Sequence, residues 1–132
     1  MTMIYETEDY EVNYRGNRVG AFVRNVGAKI KTTHALVVTG FENDEAIDTE
    51  LRYAKLAQAY ETWLKETYPE RLRREKARIR KTRKGILEGT CDRSGKPFPY
   101  LYDASDKLTV EAHAAVVRES GRTCEIVEVE RV

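Results

Sequence analysis

Residues 33–51 read THALVVTGFENDEAIDTEL, and the fold turns on the change of rhythm inside them. Ala35, Leu36, Val37 and Val38 are consecutive and apolar, so a strand over 33–39 presents two apolar faces. That predicts a central strand covered on both sides. Gly40 ends the run. Asn43 and Asp44, residue types that accept from the free N–H groups of a helix start, come next. From there apolar residues recur at steps of three and four: Ile47, Leu51, Ala54, Ala57, Tyr60, Leu64 and Tyr68. That spacing places them on one face of a long helix.

Working outward toward the N-terminus, Tyr10, Val12 and Tyr14 alternate with Glu11, Asn13 and Arg15, the period of a half-buried strand. Residues 3–5 extend it. Arg15-Gly16-Asn17-Arg18 predicts a tight hairpin turn, because Gly and Asn tolerate positive φ. Val19, Ala21 and Val23 resume the alternation. Gly16 and Gly20 are read as turn glycines of this hairpin, with no phosphate cradle between them.

Toward the C-terminus, Pro69 kinks the long helix or stops it and starts a second one. Residues 70–84 are strong helix formers with a narrow apolar seam of Leu72 and Ile79, and Gly85 is the expected stop. A second hairpin is expected from 86–91 and 98–102 across 92–96, its second arm weakened by Pro97 and Pro99. Thr109 is expected to cap a short helix lined by Ala112, Ala115 and Val116 and ended by Gly121. Residues 123–132 read as a last strand. The sum is an α+β protein of one domain, 1–132. An antiparallel or mixed sheet of about four to five strands packs on one long helix, kinked at Pro69 or not, and one short helix.

The composition fits such a chain. A length of 132 residues can bury one core without staples. Hydrophobic residues at 41% and charged residues at 34% describe a globular protein with a heavily charged surface. No apolar run reaches the roughly 18 residues of a membrane span. Residues 1–11 are acidic and lack the basic and apolar regions of a signal peptide. Two cysteines, Cys91 and Cys124, are too few for a disulfide framework. These features point to a cytoplasmic protein with reduced thiols and no membrane partner, a Cys91–Cys124 bridge being the alternative.

One segment stands apart. Residues 70–84, ERLRREKARIRKTRK, hold nine basic residues: Arg71, Arg73, Arg74, Lys76, Arg78, Arg80, Lys81, Arg83 and Lys84. Against them stand Glu70 and Glu75, a net of +7, which leaves −6 for the rest of a chain whose total is +1. Residues 42–50 hold five acids (Glu42, Asp44, Glu45, Asp48 and Glu50) and no base. Complementing a helix dipole accounts for charges in the terminal turns only, and nine cations over about four turns exceed that. On a helix, eight like-charged pairs and four opposite ones fall at i,i+3 or i,i+4. The excess opposes the isolated helix by about 1–2 kcal/mol, a cost relieved when something negative lies alongside.

Phosphates are the first candidate partner. Six of the nine cations are Arg, which grips phosphate in a fork. Trp63 and Tyr68 precede the segment, and Phe98, Tyr100 and Tyr102 follow it. Of these, Trp63, like Tyr60, is assigned to core packing, while Tyr100 and Tyr102 are candidates to stack on bases. The second candidate is an acidic protein surface, either a foreign target or residues 42–50 of a second copy in a homo-oligomer. A regulatory or inhibitory protein of the compact, motif-poor kind that viruses deploy would have this look, by analogy alone. A solvated surface without a ligand is the plain alternative.

Enzymatic chemistry is not signalled. Phosphate loops, dinucleotide fingerprints and nucleophile elbows are missing from the sequence. His34, His113, Cys91 and Cys124 have none of the short spacings of a zinc site. His34 is expected to be a strand residue packed near a helix, His113 a surface or half-buried helix residue. Either could pair with Asp92, Asp103 or Asp106, and a metal-dependent hydrolase would need Glu88, Asp92, Asp103 and Asp106 to converge. The expectation is therefore a non-enzymatic binding protein without a cofactor, engaging nucleic acid or another phosphate-rich ligand through its basic helix.

Overall fold

The computed structural model describes residues 6–29, 31–55 and 57–132, with the side chains of residues 54–60 left aside. The expected strand at residues 3–5 and the expected packing of Ala54, Ala57 and Tyr60 lie outside what is described. The class is α+β. The chain divides into two compact units, one taking the chain up to Thr39 together with Pro99–Val132, the other Gly40–Phe98.

The first unit contains two three-stranded antiparallel sheets, where one sheet of four or five strands was expected. Strands β1 (Thr7–Tyr14) and β2 (Asn17–Asn25) form the predicted hairpin. Its two-residue turn has Arg15 at φ 51° and Gly16 at φ 79°, the twist that suits a right-twisted pair of strands. Strand β3 (His34–Phe41) lies between β4 (Tyr100–Ser105) and β5 (Arg122–Glu128). The expected last strand is in fact split. Its first part is β5, and after Val129 its last residues form β6 (Glu130–Arg131), which joins the other sheet beside β1. One C-terminal segment thus ties the two sheets together.

Between the sheets, Val12, Tyr14, Ala35, Val37 and Ala104 form a core flanked by Val19, Phe22, Leu101, Val127 and Val129. By alternation Leu36 and Val38 point the other way, and both are fully buried. On that side helix α4 (Lys107–Glu119) packs against β4 and β5 with Val110, Ala114 and Val117. The doubly apolar run in β3 is therefore covered on both faces, as its sequence predicts.

Two details of the first unit depart from the sequence pattern. A bulge between Val12 and Asn13 pairs Asn13 with Arg18 but Val12 with Gly20, so Val19 is the extra residue. Beyond it the faces exchange: Phe22 turns inward and stacks on Tyr10 at 5.3 Å, while Val23 is exposed. Gly20 is consequently no turn glycine; a Cβ there would lie 2.5 Å from a methyl of Leu101. The second departure is in α4, whose N-cap is Asp106 rather than Thr109. The Asp106 carboxylate accepts from the Thr109 N–H at 2.8 Å, and the buried stripe is Val110, Ala114 and Val117. Ala112, Ala115 and Val116 are on the exposed side. Both stripes satisfy helical spacing, and only the position of the sheet selects between them.

The second unit is helical. Helices α1 (Asp44–Lys55) and α2 (Ala57–Thr67) each pack on α3 (Pro69–Glu88). The Asn43 side chain caps α1 by accepting from the Ala46 N–H at 2.9 Å. Pro69 does not kink one long helix. It takes the first position of α3, and Tyr68 before it leaves the helical region at φ −139° and ψ 70°.

Helix α3 also runs past Gly85, the expected stop, to a left-handed Gly89 at φ 73°. Thr90 N–H donates to the Gly85 carbonyl and Gly89 N–H to that of Ile86, which closes the helix end. Gly85 serves a different purpose, since a Cβ there would stand 2.3 Å from Cys91 Sγ. Of the expected second hairpin, only a single bridge between Cys91 and Pro97 exists, because residues 86–88 belong to α3.

Candidate nucleic-acid interface

The basic residues are distributed around α3 by the narrowness of its buried stripe. Leu72, Ile79, Thr82 and Ile86 turn inward, joined by Gly85 under the Cys91 loop. Outside that stripe the residues of α3 are exposed, apart from Glu75 and Arg83, which are half-buried. Eight of the nine basic residues are exposed and Arg83 is half-buried, lining a hollow with Asp48, Leu51 and Arg52. From Arg71 to Lys84 the cations extend about 20 Å along the axis.

Of the four opposite-charge pairs that spacing allows, only Arg78 with Glu75 forms, at 2.8 Å. Lys84 reaches Glu88 at 4.0 Å. The other seven basic side chains have no ion-pair partner among the described residues. The Lys84–Glu88 pair is exposed and Arg78 of the other pair is exposed over a half-buried Glu75; exposed pairs are worth only about 0–1 kcal/mol. Most cations of the segment are therefore without a paired carboxylate among the described residues.

The acids of residues 42–50 form no ion pair with it among the described residues. Glu42, Asp44, Glu45 and Asp48 are exposed, while Glu50 is buried and committed elsewhere. The Glu50 carboxylate accepts from Arg93 Nε, and the Arg93 guanidinium lies 3.9 Å from the centre of the Tyr53 ring. A buried carboxylate requires such a partner.

Two concavities border α3. The first lies at the turn between α2 and α3, has a volume of about 610 Å³, and is lined by Tyr68, Glu70, Arg71 and Arg74 among others. Trp63 packs edge-on against Tyr68, ring centres 5.7 Å apart, and the two residues are 49% and 52% exposed. The assignment of Trp63 to the core is thus corrected. Spacing does not decide it, because Trp63 lies three residues after Tyr60 just as Leu64 lies four after it. The second concavity, about 560 Å³, runs beside Arg78, Lys81 and Lys84 and is faced by Thr90, Ser94 and Gly95. Its loop is held by the Asp92 carboxylate, which accepts from Ser94 N–H at 2.9 Å and Lys96 N–H at 3.1 Å. Burial, helped by the neighbouring Asp92 and Glu50, raises the Cys91 thiol, which stays neutral and donates weakly to the Thr82 carbonyl.

The remaining candidates are elsewhere. Tyr100 and Tyr102 belong to the other unit. Tyr100 is buried with its hydroxyl accepting from Arg122 at 3.0 Å, so it offers no face to a base; Tyr102 is 44% exposed and meets His113 edge-on. His113 Nδ1 pairs with the Asp103 carboxylate, and His34 Nδ1 meets the Thr33 hydroxyl at 2.8 Å. The four acids considered for a metal have separate tasks: Glu88 with Lys84, Asp92 in its loop, Asp103 with His113, and Asp106 as a cap. Among the described residues no three of His, Cys, Asp and Glu are grouped to hold a metal ion. Cys91 and Cys124 are both free and buried. No described helix is long and apolar enough to cross a membrane. Comparison with protein-family models, curated proteins and solved structures finds no match to this chain.

Proposed function

We propose that this is a non-enzymatic binding protein that engages nucleic acid, or another phosphate-rich ligand, through α3. The observation that carries this reading is the set of seven exposed or half-buried cations without a carboxylate partner among the described residues. Arg and Lys so placed displace the counterions of a polyanion, and affinity then depends steeply on salt. If about four to seven of them meet phosphates, the logarithm of the association constant falls by roughly 3–6 per tenfold rise in salt. Fluorescence polarisation with labelled DNA and RNA across a salt series measures that slope. No binding to any nucleic acid or polyphosphate at about 50 mM salt removes the reading.

A second reading follows from the four exposed acids Glu42, Asp44, Glu45 and Asp48. They could meet the α3 cations of another copy head-to-tail. Light scattering that gives a monomer mass at every concentration discards it.

A further inference from the structure

We infer that the turn between α2 and α3 receives an unpaired base, so that the ligand of the basic helix is single-stranded nucleic acid. This rests on the phosphate-binding reading above and adds to it the form of the strand. A purely electrostatic surface needs no aromatic rings, yet two stand here, each about half exposed: Tyr68 in the α2–α3 turn, lining the concavity, and Trp63 on the last part of α2, packed on the Tyr68 ring. The backbone that carries them is held in place. Tyr68 N–H donates to the Leu64 carbonyl at 2.7 Å, Pro69 sets the direction in which α3 departs, and the two rings pack edge-on with centres 5.7 Å apart. Only side-chain freedom is then left to lose on stacking, so more of the stacking energy appears as affinity.

The cations stand beside them. Arg71 and Arg74 line the same concavity as Tyr68, one helical turn apart and about 4.5 Å along the axis. Glu70 shares that lining, which leaves one net positive charge from these three residues. A base enters the aromatic side while its flanking phosphates meet the two guanidiniums. Bases inside a duplex already stack on both faces and expose only edges, so side-chain rings reach bases that are unpaired.

The chain contains a single tryptophan, so emission excited at the red edge of the absorption band, where tyrosine does not absorb, reports Trp63 alone. The full chain is titrated with a short oligothymidylate, a blunt DNA hairpin of equal phosphate count, and heparin. Quenching of the tryptophan by the oligothymidylate, with binding but little quenching by the hairpin and heparin, is the expected result. Trp63→Ala should weaken oligothymidylate binding roughly fivefold or more while changing heparin affinity less than about twofold. Trp63→Phe, which keeps a ring, should recover most of the loss and guards against a folding artefact. If heparin binds while the oligothymidylate neither quenches Trp63 nor responds to Trp63→Ala, the inference is overturned and the phosphate reading stands. If no polyanion binds, both fall.

Discussion

The two units handle charge differently. In the β-rich unit, several cations are settled one at a time. Arg131 pairs with Glu8 at 3.0 Å, Arg122 donates to the Tyr100 hydroxyl, and Arg24 donates to the Ala104 carbonyl at 3.1 Å. In the helical unit, Arg93 is settled on Glu50 and Tyr53, yet α3 leaves seven cations with no ion-pair partner among the described residues. A protein optimised only for stability would spread such charges, since the excess like-charge neighbours work against the helix by about 1–2 kcal/mol. The contrast teaches that net charge is a poor guide to partners. A chain near neutrality can hold a strongly positive rod when few of its acids pair with that rod's cations.

The largest expected effect tests that contrast directly. Reversing Arg73, Arg74 and Arg78 to Glu should lower affinity for polyanions on the order of a hundredfold or more, with the circular dichroism of the fold retained. Three reversals of exposed residues in the other unit, Arg18, Lys107 and Arg118 to Glu, should cost far less. Equal losses from the two sets would mean that total charge, and not α3, attracts the ligand.

A pair of matched substitutions compares the packing of the two units. Gly20→Ala in β2 drives a methyl against Leu101, and Gly85→Ala in α3 drives one against Cys91 Sγ. Overpacking of this kind costs about 1–3 kcal/mol. At Gly85 a helix-propensity gain of up to about 1 kcal/mol offsets part of it. Denaturant melts should therefore show the strand variant as the more damaged. A stabilised Gly85→Ala would show that the Cys91 loop moves aside freely.

The smallest effect concerns acid. The hydrogen bond from the Thr109 backbone N–H, aided by the Thr109 hydroxyl, holds the Asp106 carboxyl below the usual carboxylate range. A carboxyl depressed in the folded state adds stability above its unfolded value, and that stability is lost as pH falls through the folded value. Asp106→Asn keeps an N-cap acceptor but cannot titrate, so its melting temperature should fall less than the parent's on acidification below about pH 4. Parallel curves would show that the cap does not contribute to the acid response.

Local rhythm alone carried much of this structure. The Arg15-Gly16 turn, the doubly buried β3 and the start of α1 at Asn43 all follow from a few neighbouring residues. The basic segment is written in the order of amino acids and needed only a helix to become a rod. Other features depended on residues far away in the chain. The β2 bulge inverted a correct alternation, and the sheet chose Val110, Ala114 and Val117 over an equally periodic stripe. The packing of α2 on α3 decided that Leu64 is buried while Trp63 next to it stands half in water. Spacing fixes which side chains share a face, because backbone geometry is local. Which face meets a partner, and which charge meets a counter-charge, is set by contacts between segments distant in sequence, and these exist only once the chain has folded.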